Sequence, residues 1–115
     1  MQAMAVSNGY MTGKVCVIWE IPHDKINGFE IYRDGNLIAS SLQEEGLHTF
    51  IPPTMFDHDH HTNLFKKDSN YKLMYIDESV YKYQNYEYKV IAVRLDENGT
   101  EVERIESDLM SVQAQ

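Results

Sequence analysis

Apolar and polar residues alternate along most of this chain, and turn-forming residues separate the alternating runs. A period of two places every second side chain on the same face of a β-strand. Val15, Val17 and Trp19 therefore share one face of a first predicted strand, and Phe29 and Ile31 share one face of the next. Few windows have helical spacing, so the pattern predicts an all-β protein. Strands are predicted over 14–20, 29–33, 36–40, 86–95 and 100–105, and 107–112 continues the last one after a bulge.

Two dipeptides predict hairpin turns. Asp34-Gly35 lies between alternating runs, and Asn98-Gly99 follows the longest of them. Both pairs favour tight turns because these residues tolerate positive φ. The predicted strands on either side of each turn should therefore pair antiparallel.

The alternation stops over 41–72. This segment contains Pro52-Pro53, three histidines within 58–61 and the separated aromatics Phe50, Phe56 and Phe65. It is too long for an ordinary hairpin loop. We expect an insertion, either ordered by its own aromatic side chains or mobile and used for binding.

Length and charge limit the classes of function. A chain of 115 residues that is 43% hydrophobic predicts one globular domain over 1–115. The net charge of −8 opposes binding to nucleic acid or to an anionic membrane. We also see no signal peptide and no transmembrane stretch. The expected location is a virion or the cytoplasm if the protein stands alone, and outside the cell if it belongs to a larger protein.

Several short motifs together resemble the fibronectin type III domain, an immunoglobulin-like β-sandwich. Their order and spacing fit over residues 12–41 and 73–112. The resemblance implies a seven-stranded antiparallel β-sandwich, with the long insertion placed between the hairpin after strand C and strand E. It also implies structural roles for Trp19 in the core, Asp77 at a turn and Tyr86 as a tyrosine-corner residue. The motifs are Val17-Ile18-Trp19-Glu20, the run from Ile26 to Gly35, Tyr75-x-Asp77-x-x-Val80, Tyr86 and Ser107.

The cluster Asp57-His58-Asp59-His60-His61 is the candidate for a metal site. Imidazole and carboxylate ligands suit zinc, nickel or copper, but the spacing matches no standard zinc signature. A complete site would need another ligand, for which His48 and Asp68 are nearest in sequence. The alternative is a solvated loop tip, and no cofactor is expected.

The sequence offers little for catalysis. Adjacent carboxylates, as in Asp77-Glu78 and Asp96-Glu97, point apart on a strand or turn and do not readily share a proton. Cys16 lies in an apolar run, which favours a packed thiol over a nucleophile. We therefore expect a protein that is not an enzyme.

Binding residues are expected in the insertion and in a tyrosine-rich stretch. The eight tyrosines include Tyr81 and Tyr83, in the connection before the longest strand. Exposed tyrosines favour protein interfaces or sugar stacking. Acids concentrated over 94–108 indicate a solvated strand face or a docking surface for a basic partner. The candidate binding residues are Phe56, His58, His60, Phe65, Tyr81 and Tyr83.

These observations favour a non-catalytic structural or protein-interaction module. A virion component, such as a tail or capsid decoration protein, would suit a lone domain of this type that assembles with itself or within a larger complex. The alternatives are an accessory binding domain of a secreted polysaccharide-acting enzyme and a small metal-binding protein that uses residues 57–61.

Overall fold

The computed structural model describes residues 1–7, 12–23, 25–41 and 72–115. These residues form eight strands and no helix, which confirms the prediction of an all-β protein. The strands are β1 (Ala3–Val6), β2 (Val15–Glu20), β3 (Gly28–Arg33), β4 (Asn36–Ser40), β5 (Lys72–Asp77), β6 (Asn85–Leu95), β7 (Glu101–Glu106) and β8 (Met110–Gln113). None of the described segments has a helix long and apolar enough to span a membrane.

The strands form two antiparallel sheets. The first sheet has the order β1-β2-β5, and in the second β4-β3-β6 is extended by β7 and β8, which both pair with β6. The fibronectin type III resemblance implies seven strands, and the described residues form eight. The continuation expected over 107–112 contains a separate strand, β8, and the alternating pattern did not locate β1.

The core lies between the two sheets and uses the alternating positions that the sequence predicts. Val15, Val17 and Trp19 of β2 are buried, and so are Phe29 and Ile31 of β3. The rings of Trp19 and Phe29 are tilted, with their centroids 5.3 Å apart, a favourable aromatic geometry. This contact joins the first sheet to the second.

The hairpin between β3 and β4 has the predicted turn. Asp34 and Gly35 both have positive φ, at 51° and 84°, as a two-residue turn of this type requires. The Asp34 side chain also accepts a hydrogen bond from the Glu87 amide at 2.9 Å, and the Asp34 amide donates to the Glu87 carbonyl at 2.8 Å. The turn thereby extends the pairing of β3 with β6.

The turn between β6 and β7 is longer than the two-residue turn that Asn98-Gly99 predicts. Gly99 has a φ of 82°, whereas Asn98 does not have positive φ. The Asp96 carboxylate accepts hydrogen bonds from the amides of Asn98 and Thr100, both at 2.9 Å. The side chain of Asp96 therefore organises this turn.

Ser107 lies at the break between β7 and β8. Its amide donates to the Val90 carbonyl at 2.9 Å, and its hydroxyl accepts from the Val90 amide at 2.9 Å. The hydroxyl takes the place of a backbone carbonyl, so the hydrogen bonding of β6 continues across the break.

Candidate interaction site

A buried aspartate lies at the end of β5, where the chain leaves the first sheet. Asp77 is 1% exposed. One carboxylate oxygen accepts hydrogen bonds from the Ser79 amide at 3.0 Å and from the Ser79 hydroxyl at 2.6 Å. The other accepts from the Arg33 guanidinium at 2.8 Å and from the Tyr88 hydroxyl at 2.7 Å. Both oxygens of this carboxylate are thus occupied within the fold.

These contacts fix the charge of the cluster formed by Arg33, Asp77, Ser79 and Tyr88. Burial alone would raise the pKa of the Asp77 carboxyl, but the hydrogen bonds from Ser79, Tyr88 and Arg33 outweigh it and hold the pKa below its usual value. Burial and the hydrogen bond to Asp77 raise the pKa of the Tyr88 phenol. At neutral pH the carboxylate is charged and the phenol remains a hydrogen-bond donor. Since Asp77 belongs to the first sheet and Arg33 and Tyr88 to the second, the cluster ties the two sheets together.

Tyr86 lies beside this cluster at the start of β6. Its hydroxyl accepts a hydrogen bond from the Tyr81 amide at 2.7 Å. The Arg33 guanidinium lies 5.4 Å from the centre of the Tyr86 ring, within the range of a cation–π contact. Tyr86 therefore links the cluster to the turn that follows β5.

That turn, which we call the tyrosine turn (residues 81–83), presents two aromatic rings to solvent. Tyr81 is 75% exposed and Tyr83 is 64% exposed. Tyr83 also has a φ of 69°, a left-handed conformation that is rare for a bulky side chain and costs about 1–2 kcal/mol. The Lys82 ammonium lies 5.1 Å from the centre of the Tyr83 ring. The surrounding hydrogen bonds hold this strained backbone in place.

The thiol of Cys16 is buried on β2. Its sulfur lies 3.2 Å from the Met74 sulfur on β5. Burial raises the pKa of the thiol to about 11, so the thiolate is scarce at neutral pH. This environment is that of a packed side chain.

The acids of β7 have cationic partners inside the same sheet or next to it. Glu103 contacts His23 at 3.0 Å and Arg94 at 3.1 Å, and these hydrogen bonds lower the pKa of Glu103. Since the Lys25 amide donates to Nδ1 of His23, the proton of the neutral ring lies on Nε2, which faces Glu103. The other pairs are Glu101 with Arg104 and Glu106 with Lys89. These pairs favour a solvated structural face over a docking surface for a basic partner.

The structure places some of the predicted site residues and not others. Trp19 lies in the core, Asp77 lies in the buried polar cluster, and Tyr86 lies beside that cluster. Tyr81 and Tyr83 both lie in the tyrosine turn. Within the described residues, no three His, Cys, Asp or Glu side chains are grouped as a metal site would require. The remaining candidates lie outside the described residues: Phe56, Asp57, His58, Asp59, His60, His61 and Phe65, with the possible further ligands His48 and Asp68.

Sequence reasoning missed Arg33 and Ser79 as partners of Asp77. Ser79 stands two residues after Asp77, which is the spacing of an Asx-turn and could have indicated the contact. Arg33 is 44 residues away along the chain, and its contact depends on how the sheets pack. The local pattern around Arg33 contains no signal for it.

Comparisons with known proteins give a likeness of fold. No protein-family model matches this chain, and no curated protein matches it. Among solved structures, the chain is similar to part of the family 28 exopolygalacturonase of Yersinia enterocolitica, with a TM-score of 0.52 and 16% sequence identity. The likeness covers 88% of this chain and 18% of that enzyme, so this chain spans less than a fifth of that enzyme's length. At this identity the likeness concerns the fold alone.

Proposed function

We propose that this chain is a non-catalytic interaction module of the fibronectin type III kind. The order of its elements supports the resemblance: Trp19 lies on the second strand, the Asp34-Gly35 hairpin follows the third, and the turn after Asp77 precedes the sixth. The tyrosine-corner contact of Tyr86 with the Tyr81 amide also fits.

The observation that carries this proposal is the contrast between the buried polar cluster and the tyrosine turn. The carboxylate of Asp77, the most buried acid of the described residues, has all its contacts inside the fold, which leaves it no oxygen for a substrate. The tyrosine turn instead exposes two rings on a fixed backbone. Rigid, exposed aromatic rings lose little entropy on binding and suit a recognition surface.

Under this proposal the partner is a protein, another copy of the chain or a larger complex, as in a virion tail or capsid decoration component. Nucleic acid is disfavoured because the chain carries 18 acids against 10 bases. Among the described strands, β1 and β4 each have an outer edge with no strand paired to it, and these edges offer a second means of contact by strand addition.

Two measurements test the proposal. The purified chain should release no reducing sugar from soluble polysaccharides and should show no other hydrolytic turnover. Light scattering should then give the mass of the native assembly, and a stable multi-copy particle is the result expected for a virion component. Turnover that disappears in Asp77→Asn, while the variant remains folded, would refute the non-catalytic assignment.

The likeness to part of an exopolygalacturonase favours a second candidate, an accessory domain of a polysaccharide-acting enzyme. A polymer of galacturonic acid is anionic, and a module with a net charge of −8 repels it. In such an enzyme this module would space or position the catalytic part and would not itself hold that polymer. A monomer by light scattering, encoded in one reading frame with a catalytic domain, is the result expected for this candidate.

A further inference from the structure

The backbone of the tyrosine turn is fixed from both sides. The Tyr81 amide donates to the Tyr86 hydroxyl at 2.7 Å, and the Gln84 amide donates to the Tyr81 carbonyl at 3.1 Å. The Tyr83 amide donates to the Ala114 carbonyl at 2.6 Å, and the Ala114 amide donates to the Gln84 carbonyl at 2.9 Å. The turn is therefore anchored both to β6 and to the end of β8.

The strain at Tyr83 is not repaid by burial of its ring. At a φ of 69°, glycine or asparagine would fit this position with less strain, yet the chain has a large ring there that is 64% exposed. Strained backbone held by its surroundings is a feature of ligand-binding positions. Tyr83 therefore combines a strained, fixed backbone with an exposed ring, which makes it a candidate for contact with a ligand.

The neighbours of the two rings are polar and include several amides. Gln84, Asn85 and Gln113 are exposed, Asn85 pairs with Gln113 in the sheet, and the Gln113 side chain donates to the Tyr83 carbonyl at 3.1 Å. The other exposed large apolar side chains of the described residues lie on other strands and turns: Met4, Leu37, Val102 and Leu109. The centre of a protein interface packs aromatic anchors among apolar side chains, whereas the described side chains that flank these rings are amides and Lys82.

The chemistry of these groups matches a sugar. A pyranose ring has an apolar face of C–H groups that stacks on an aromatic ring, and its edge carries hydroxyls that both donate and accept hydrogen bonds. Carboxamides also both donate and accept, so they complement hydroxyls better than charged groups do. The net charge of −8 disfavours an acidic sugar and favours a neutral one.

We propose that the tyrosine turn is a binding site for neutral glycans, in which Tyr81 and Tyr83 stack on sugar rings and the adjacent amides bind hydroxyls. This site rests on the proposed role as a non-catalytic binding module. It assigns a neutral glycan to the tyrosine turn and leaves the protein partner to the edges of β1 and β4.

Native affinity electrophoresis tests this site on the whole chain. Gels contain hydroxyethyl cellulose, galactan or polygalacturonate, and a gel without polymer is the reference. We expect retardation by at least one of the neutral polymers and none by polygalacturonate. Tyr81→Ala and Tyr83→Ala should each weaken the apparent affinity about tenfold. Leu109→Ala, which removes an exposed side chain from another turn, should migrate as the unaltered chain does.

Three results would overturn the site: no retardation by either neutral polymer, retardation that survives in the double variant Tyr81→Ala/Tyr83→Ala, or retardation by polygalacturonate alone. Because both rings are exposed, these variants should keep the unfolding transition of the unaltered chain, which circular dichroism checks. If no polymer binds and no turnover is seen, the glycan site fails while the non-catalytic module stands. Turnover on any polymer refutes the module itself.

Discussion

Removing the Tyr88 hydroxyl should weaken the tie between the two sheets. Tyr88 is fully buried, and its hydroxyl donates to a charged carboxylate at 2.7 Å. A hydrogen bond to a charged group contributes about 1.5–3 kcal/mol to stability. Tyr88→Phe keeps the ring and its packing, so we expect it to lower the free energy of unfolding by this amount.

A change in Asp77, the hydrogen-bond partner of Tyr88, measures the contribution of the charge apart from that of the hydroxyl. Asp77→Asn removes the charge that Arg33 faces, and breaking a buried ion pair costs about 3–5 kcal/mol. Because Arg33 keeps 23% of its side chain exposed, we expect a loss at the lower end of that range. The double variant Asp77→Asn/Tyr88→Phe should lose less than the sum of the two single losses, since the two side chains share one interaction.

Urea denaturation followed by the fluorescence of Trp19, the single tryptophan, measures all three variants. Tyr81→Phe is the matched control, because it removes a hydroxyl from a ring that is 75% exposed, and its effect should stay within about 0.5 kcal/mol. If Tyr88→Phe unfolds at the same urea concentration as the unaltered chain, the Tyr88 hydroxyl does not stabilise the contact between the sheets. Strictly additive losses would show that the two residues are not coupled.

The remaining predictions concern pH, the tyrosines and the thiol. Since the folded-state pKa of Asp77 lies below the ordinary value of 3.8, its contribution to stability is present above about pH 4 and is lost as the pH falls through the folded-state pKa. Urea titrations between neutral and acid pH should therefore show a smaller decline in stability for Asp77→Asn than for the unaltered chain. Tyr86→Phe leaves the Tyr81 amide without its acceptor and should lower the free energy of unfolding by about 0.5–1.5 kcal/mol. An unchanged unfolding transition would show that the contact between Tyr86 and the Tyr81 amide does not stabilise the fold. Tyr83→Asn relieves the left-handed strain and should raise the free energy of unfolding by about 1 kcal/mol, while Tyr81→Asn, at a position without positive φ, should give no gain. With a pKa of about 11 against an ordinary 9.0, Cys16 should react with iodoacetamide roughly a hundredfold more slowly in the folded protein than in urea, and comparable rates would contradict its burial.

The second sheet was largely predictable because its signals are local. Alternation located β3 and β6, and the Asp34-Gly35 pair specified both a turn and the pairing of β3 with β4. β1 escaped prediction because four residues, Ala3–Val6, are too few to show a period. It is a strand because β2 offers it an edge, with Ala3 opposite Trp19 and Val6 opposite Cys16.

The candidate site was predictable only in part. The sequence indicated Tyr81 and Tyr83 through tyrosine enrichment, but the left-handed conformation of Tyr83 has no sequence signal, since tyrosine is a poor residue for it. That conformation depends on the hydrogen bond that the Tyr81 amide donates to the Tyr86 hydroxyl, and on the one that the Tyr83 amide donates to the Ala114 carbonyl, 31 residues further along the chain. Contacts between distant segments set the geometry of the turn, and no local pattern encodes them.

The hydroxyl of Ser107 makes the backbone dynamics of a central strand depend on one side chain. The Val90 amide donates to this hydroxyl and not to a carbonyl, although Val90 itself is fully buried. Exchange of that amide hydrogen with solvent requires only that one side-chain contact open, whereas its neighbours on β6 require strands to separate. Val90 should therefore exchange faster than the amides around it, and faster still in Ser107→Ala. Because the last strand is interrupted at Ser107, the Val90 amide in the interior of the sheet can open locally without unfolding of the whole domain.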